Sequence, residues 1–350
     1  MNKLKGLFIF ICIFYSFTFA KSYSGLKYDV FFGSMGSARA ESLGRILSVD
    51  EQAFSFVSNP SFLTHQKGLH FDYSNSYYRD KYFDENYYNF SGIKYNYRNH
   101  HFGLNFLFIN KEMSRITGKD NPNYKIVSFS YARPCFNFIH FGLRTNIFID
   151  DLYKNNRKYG YYTDLGLYRT EQVLNNSRFK DKLQFGLQYS NIFNQSVDLD
   201  YSALLFPSIL RVGLKNELYY NDNNPDFYSA PYILKVTTAI EYQNVTNSKY
   251  FSGLRYGLEL GLFDILFGRY GYYRIKQEEH PETLYPEQYR DYISEPTYGF
   301  GIKFELQRYF KDLIPLTINI DYTELENPAD YKAVDFGDFN ILDIGINYTL

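Results

Sequence analysis

From residue 68 to residue 350 the chain repeats one theme, about ten residues of alternating apolar and polar or small character followed by a polar connection. Side chains along a strand point to opposite faces in turn, so such alternation builds a two-faced sheet. In 182–191, Leu183, Phe185, Leu187 and Tyr189 share one face, and Gln184, Gly186, Gln188 and Ser190 the other. In 253–262, Leu254, Tyr256, Leu258, Leu260 and Leu262 alternate with Gly253, Arg255, Gly257, Glu259 and Gly261. One face suits lipid and the other suits water or confined space, which is the pattern of a transmembrane β-barrel. The final segment repeats it, with Leu342, Ile344, Ile346, Tyr348 and Leu350 on one face and Ile341, Asp343, Gly345, Asn347 and Thr349 on the other. The chain therefore ends on a strand that can close a barrel.

Segments of this kind predict an all-β fold, an outer-membrane antiparallel β-barrel of about 14 strands, an even number as single-chain bacterial barrels require. They fall near 68–78, 87–98, 100–109, 123–132, 136–149, 158–169, 181–191, 207–220, 229–242, 250–263, 266–275, 295–306, 313–323 and 339–350. Taken in order, the outward connections include the long 110–122, 192–206, 276–294 and 324–338, and the periplasmic ones the short Asn99 junction, 133–135 and Asp264-Ile265. Two periplasmic connections, 170–180 and 221–228, are longer than this scheme favours, which leaves room there for misplaced strand ends or a short helix. A two-sheet sandwich also alternates, but the uninterrupted strand series, the aromatic load and an export signal favour the barrel.

Aromatic residues make up 21% of the chain, with Tyr 38, Phe 34 and Trp 0. Tyrosine suits places where one end of a side chain is wet and the other apolar, as at membrane interfaces. Mean hydropathy is −0.39, and beyond residue 20 no apolar run approaches the roughly 18 residues of a spanning helix. Residues 1–20 read as an export signal: Lys3 and Lys5 lead, Leu7 to Tyr15 form the apolar core, and Thr18-Phe19-Ala20 offers a small-residue site with cleavage after Ala20. The domain reading is a signal peptide over 1–20, a hatch over 21–66 and the barrel over 67–350, located in the cell outer membrane.

A formal net charge of −1, with both signs scattered, presents no basic face to nucleic acid. Cys135 is the single cysteine beyond the signal, so no intrachain disulfide is expected. His100 and His101 point to opposite faces of a strand, and His65, His70, His140 and His280 show no ligand spacing, so no metal and no cofactor is expected. Glycine-rich phosphate loops, a Gly-x-Ser-x-Gly elbow and paired catalytic carboxylates are missing, which argues against an enzyme.

Phe32 to Leu63 is the stretch without strand alternation. Ser37 to Leu47 predicts about three helical turns, with Ala38, Ala40, Leu43 and Leu47 roughly on one side and Arg39, Glu41 and Arg45 on others. Pro60 ends any helix and biases Asn59 toward an extended conformation, turning the chain toward the first strand. Asn59 and Pro60 are therefore read as structural.

Ser37-Ala38-Arg39-Ala40, Leu43-Gly44-Arg45, the acidic Asp50-Glu51 and Ser58-Asn59-Pro60-Ser61-Phe62-Leu63 together resemble the PorV/PorQ family of outer-membrane proteins, itself similar to the FadL-type fatty-acid transporters. Phe206-Pro207-Ser208-Ile209-Leu210-Arg211-Val212-Gly213, Gly268-Arg269-Tyr270-Gly271-Tyr272 and Tyr298-Gly299-Phe300-Gly301-Ile302-Lys303 resemble later strands of that family. Ser61 stands where the family usually has Ala, and Arg45-Ile46 replaces small residues. The resemblance implies a 14-stranded barrel whose N-terminal hatch folds inside the lumen, with Ala38, Arg39, Gly44, Arg45, Asp50, Asn59, Pro60 and Leu63 as its motif. It also implies either passage of a hydrophobic or amphiphilic small molecule past the hatch, or a non-enzymatic role in type IX secretion through binding of exported proteins.

The alternation places Arg144, Arg211, Lys215, Glu217, Arg255, Glu259, Lys303, Glu305, Asp321 and Asp343 on the lumen face. Buried charges must pair or stay hydrated. These residues are expected either to form an ion-pair network that grips the hatch or to line a polar path that opens when the hatch moves.

Overall fold

The computed structural model describes residues 37–50, 58–65, 69–79, 86–111, 123–136, 138–150, 158–193, 196–199, 202–205, 208–221, 230–246, 252–276, 292–309, 315–325 and 339–349. Residues 1–36 lie outside these, so the signal peptide, its cleavage point and the start of the hatch are not among the described parts.

Alternation becomes wall. Strands β1 (Leu69–Arg79), β2 (Asn86–Tyr97), β3 (His100–Lys111), β4 (Asn123–Phe136), β5 (Ile139–Asp150), β6 (Lys158–Asn175) and β7 (Phe179–Ser190) pair in succession, each antiparallel to the last. After a two-stranded hairpin, β8 (Ser196–Leu199) and β9 (Ser202–Leu205), the series continues with β10 (Ile209–Tyr220), β11 (Leu234–Val245), β12 (Gly253–Leu262), β13 (Leu266–Lys276), β14 (Tyr292–Glu305), β15 (Leu316–Leu325) and β16 (Phe339–Thr349). β16 then pairs with β1, from His70 opposite Thr349 to Arg79 opposite Asn340. The barrel has 14 strands and no free edge, so every strand finds a backbone partner on both sides, which a wall in lipid requires.

The two faces separate as the sequence predicts. On β12, Tyr256, Leu258, Leu260 and Leu262 face outward, and Arg255, Gly257, Glu259 and Gly261 are buried toward the lumen. On β16, Leu342, Ile344 and Ile346 face outward while Ile341, Asp343 and Gly345 are buried. No described helix is long and apolar enough to cross a membrane.

The tight turns at 98–99, 176–178 and 263–265 gather at the end where β1 starts and β16 finishes. Positive φ values at Arg98 (57°), Phe263 (56°) and Asp264 (56°) mark two of these reversals. The β10–β11 and β14–β15 connections join strands at this end too and are longer, spanning 221–233 and 306–315.

Several strand boundaries are corrected. The connection placed at 133–135 is strand, since β4 runs to Phe136 and β5 starts at Ile139. The long connection at 170–180 is strand: β6 runs to Asn175 and β7 starts at Phe179, leaving Asn176–Arg178 as the turn. Here the apolar alternation fades while pairing continues, past a register shift between Gln172 and Leu174, and the side chains from Glu171 to Lys180 are exposed. Loss of alternation marks the end of the apolar band, not the end of the strand. The strand placed at 229–242 begins at Leu234 instead, and the 222–229 part of its connection lies outside the described residues. The strand placed at 313–323 runs from Leu316 to Leu325, after a short helix α2 (Leu306–Tyr309) in the preceding turn.

A further correction concerns the hatch. Its helix α1 covers Ala38–Ser42, five residues and not three turns. Ser37 caps it by accepting a hydrogen bond from the Ala40 N–H at 3.3 Å. It stops because Gly44 (φ 72°) and Arg45 (φ 64°) both take left-handed conformations, which a continuing helix forbids. Beyond the undescribed 51–57, a 3-10 turn runs from Pro60 to His65. Proline suits that first position because it has no N–H to leave unpaired there.

Candidate functional site: the hatch and the lumen wall

The hatch lies along the inside of the wall. Thr323 of β15 donates its hydroxyl to the Ala38 carbonyl at 2.6 Å, and Thr297 of β14 donates to the Ser42 carbonyl at 3.2 Å. Leu43 and Gly44 then pass β12 and β13, Ser48 and Val49 pass β7 and β10, Asn59 meets β6, and Pro60–Ser61 meets β5. Leu63 reaches Gly103 on β3. The described segments thus trace an arc over most of the barrel's inner circumference.

Glycines on the lumen face make this path available. A Cβ on Gly142 would collide with the Pro60–Ser61 backbone, one on Gly186 with the Ser48 carbonyl, and one on Gly271 with the Gly44 N–H. A Cβ on Gly257 would sit 2.8 Å from the Leu43 carbonyl oxygen. These positions are neighbours across the sheet: Gly142 pairs with Gly166, Gly186 with Gly213, and Gly257 with Gly271. Gly142, Gly186, Gly257 and Gly271 each mark a close approach of hatch backbone to wall, while Gly166 makes room for the Asn59 side chain and Gly213 for those of Ser48 and Val49.

Charge supplies the grip. Arg39 reaches both carboxylate oxygens of Glu259, with one Nη2–Oε1 contact of 3.2 Å and an ion pair through Nη1, and its Nε donates to Asp50 at 3.3 Å. Arg269 donates its Nε to the same Glu259 at 2.7 Å, and Lys235 stands 3.7 Å away. Glu241 accepts from the backbone N–H groups of Leu47 (2.9 Å) and Ser48 (2.6 Å) with one oxygen, while the other faces Arg255 Nη1 at 3.2 Å. Arg255 in turn donates to the Arg45 carbonyl at 3.1 Å. Glu41 and Arg45 pair within the hatch at 2.7 Å, with the Arg45 guanidinium 5.0 Å from the Tyr273 ring centroid.

Asn59 is the most connected residue of the second segment. Its amide nitrogen donates toward the Leu167 carbonyl (2.9 Å), the Ser48 carbonyl (3.1 Å) and the Leu187 carbonyl (3.2 Å). Its oxygen accepts from the Ser61 hydroxyl at 2.6 Å and the Ser61 N–H at 3.1 Å. One side chain therefore ties both hatch segments to β6 and β7. Phe62 packs edge-on against Tyr168, with ring centroids 4.9 Å apart.

Of the residues placed on the lumen face from sequence, Arg211, Arg255 and Glu259 join the network around Arg39 and Glu241, Arg211 standing 4.0 Å from Glu241. Lys215 and Glu217 cluster with Lys235 and the Tyr219 hydroxyl, and Lys235, 3.7 Å from Glu259, joins this cluster to the Arg39 network. Arg144 pairs with Asp164 at 2.8 Å. Asp321 accepts from Arg269 at 2.5 Å, and Asp343 is buried.

Lys303 and Glu305 are not brought into the central lumen. They sit at the short-turn end with Arg308 of α2, around Asp264 in the β12–β13 turn. Burial pushes the Asp264 carboxyl up, but the charge of Lys303, with hydrogen bonds from Tyr232 (2.6 Å), Arg308 and Lys303 (3.0 Å), outweighs it and holds the group below its ordinary value.

Sequence reasoning missed Glu241, Arg269, Lys235 and Asp164 among the lumen charges. The signal was present, since Lys235, Thr237, Ala239, Glu241 and Gln243 alternate with outward side chains on β11. It also missed the glycine path, visible as one lumen-phase glycine on strand after strand. Among the described residues no group of three or more His, Cys, Asp or Glu side chains could hold a metal ion, and Cys135 is exposed.

No protein-family model matches the chain, and no curated protein matches it. Solved structures do. A channel described as the CymD monoaromatic hydrocarbon channel is similar at a TM-score of 0.50 and 9% identity, over 91% of this chain and 98% of that one. The toluene transporter TbuX of Ralstonia pickettii is similar at a TM-score of 0.49 and 10% identity, over 89% of this chain and 97% of that one. At such identity the likeness to CymD speaks to the fold: a closed barrel of matching extent.

Proposed function

We propose that this chain is an outer-membrane barrel of PorV/PorQ type that admits a hydrophobic or amphiphilic small molecule past its N-terminal hatch. The observation that carries this is the way the hatch is held. Arg39 on Glu259, and Leu47 and Ser48 on Glu241, are polar contacts across a lumen, and water can replace polar contacts far more readily than it can open an apolar core. The glycine path keeps hatch and wall in close contact without interlocking side chains, so the hatch can shift by exchanging hydrogen bonds. The shared fold with a monoaromatic hydrocarbon channel supports the same reading. The strands carry apolar residues outward in a continuous band, which fits residence in the outer membrane with the short turns facing the periplasm.

The test is uptake of a fluorescent fatty acid into proteoliposomes, alongside planar-bilayer conductance. The intact protein is expected to take up the probe while showing low conductance, and Glu259→Gln with Glu241→Gln is expected to raise conductance. Large, stable open channels from the intact protein would overturn the sealed-hatch reading. No uptake, with exported proteins recovered alongside the barrel from membranes, would instead assign it to protein secretion.

A further inference from the structure

The outward surface of β2 to β5 is not a smooth wall. It holds a hollow of about 410 Å³ lined by Ile93, Tyr95, Phe102, Leu104, Phe129 and Leu143, with Gly103 and Ser130 at its floor. The volume falls within the range of small-molecule sites. Gly103 and Ser130 are cross-strand partners on the lumen phase, so the floor is strand backbone. The rim is aromatic: Phe102 and Tyr131 pack with centroids 5.5 Å apart, and the Tyr131 hydroxyl is 2.8 Å from His100 Nδ1.

Position along the strands sets the depth of the hollow. Its residues lie within a few positions of the short-turn ends of β2, β3, β4 and β5, so it opens into the leaflet on that side. Arg133 is exposed two residues beyond Tyr131 on the same face of β4, toward the turn. Arg98, also exposed, stands on the β2–β3 turn with its guanidinium 5.3 Å from the Tyr97 ring centroid. An apolar hollow at acyl-chain depth, with exposed arginines beyond it at headgroup depth, is complementary to one kind of molecule.

We infer that this hollow binds an anionic glycerophospholipid of the periplasmic leaflet, an acyl chain lying against Phe102, Phe129 and Leu104 and the phosphate group facing Arg98 and Arg133. The inference rests on the membrane placement proposed above, but not on transport.

Because the chain contains no tryptophan, one substitution creates a unique reporter. Leu104→Trp places it in the hollow, and Leu258→Trp, outward-facing on β12, serves as the reference. Each protein is reconstituted in phosphatidylcholine vesicles containing phosphatidylglycerol, with one lipid or the other brominated in mid-chain. Brominated phosphatidylglycerol is expected to quench the reporter in the hollow with a relative affinity at least about fivefold above phosphatidylcholine, a scale two interfacial arginines can supply. The reference position is expected to show about equal affinity, and Arg98→Gln with Arg133→Gln should remove the preference at the hollow. Native mass spectrometry of the unsubstituted protein, retaining phosphatidylglycerol over phosphatidylcholine, gives the same reading without the new tryptophan. Equal quenching by the two lipids at both positions would overturn the site while leaving the membrane placement standing. Quenching at neither position would overturn both.

Discussion

Glu259 has no exposed surface and is shared among Arg39, Arg269 and Lys235, so three cations converge on one carboxylate. Neutralising it leaves Arg39, Arg269 and Lys235 with Asp50, Asp321 and Glu217 as counter-charges, and losing one partner of a buried pair costs at most about 3–5 kcal/mol. Glu259→Gln is therefore expected to lower the unfolding free energy of the micelle-bound barrel, read from its urea transition, by up to that amount; an unchanged transition would show that Asp50 suffices to hold Arg39. Asp264 acts at the rim, and its sign is opposite to that of a raised group. Its folded-state value is lowered, so its contribution is complete above the unfolded value of about 3.9 and is lost as pH falls through the lower folded value. Urea midpoints measured from pH 7 down to pH 3 should decline at the acid end, and Asp264→Asn should start lower at pH 7 and decline less.

At the scale of elements, the hatch is shaped by the wall as much as by its own sequence. Ser37 to Leu47 carries a helical pattern, yet α1 stops at Ser42 because Gly44 must bring its N–H against Gly271, and Gly44 and Arg45 turn left-handed to do it. Without the wall the helix could continue at little cost; against it, continuing would forfeit the Glu241 contacts of Leu47 and Ser48. The glycine path gives a direct test. Gly186→Leu puts a branched side chain where the Ser48 carbonyl lies, and Gly268→Leu puts one where no atom lies within 4 Å. Only the first is expected to displace the hatch, read as faster proteolysis within residues 37–65 and raised bilayer conductance. Equal behaviour of the two variants would mean that the hatch does not follow this path.

Closure is a property of the whole molecule. The β1–β16 seam joins residues as far apart as His70 and Thr349, and neither β1 nor β16 is paired on both sides until it closes. Such barrels keep their fold in detergent until heated, because every backbone group is paired within the wall. The folded protein is expected to migrate faster on gels before boiling than after, in an outer-membrane fraction; recovery as a soluble protein would contradict the fold's placement. Removing residues 37–65 while keeping the seam should retain this heat-dependent migration and produce a conducting pore.

The period-two alternation determined the strands, their number, the face each presents and the short-turn end, since each depends only on neighbours along the chain. Leu258 and Glu259 could be assigned to opposite faces without any knowledge of what stood across the sheet. Backbone preference at Pro60 marks a turn after Asn59, but the Asn59 side-chain hydrogen bonds to Ser48, Leu167 and Leu187 belong to the fold alone. Only the tertiary structure decided where strands ended once lipid no longer imposed alternation, as at Glu171 to Asn175, and which charges met. Arg39 and Glu259 are 220 residues apart, and pairing at that distance follows from barrel register and the course of the hatch. The same holds for the glycines: each reads locally as a small residue, and becomes part of a path only when closure sets it beside the next. Local periodicity is written in the sequence because it arises from local geometry, whereas the grip on the hatch arises from contacts that exist only after the ring has closed.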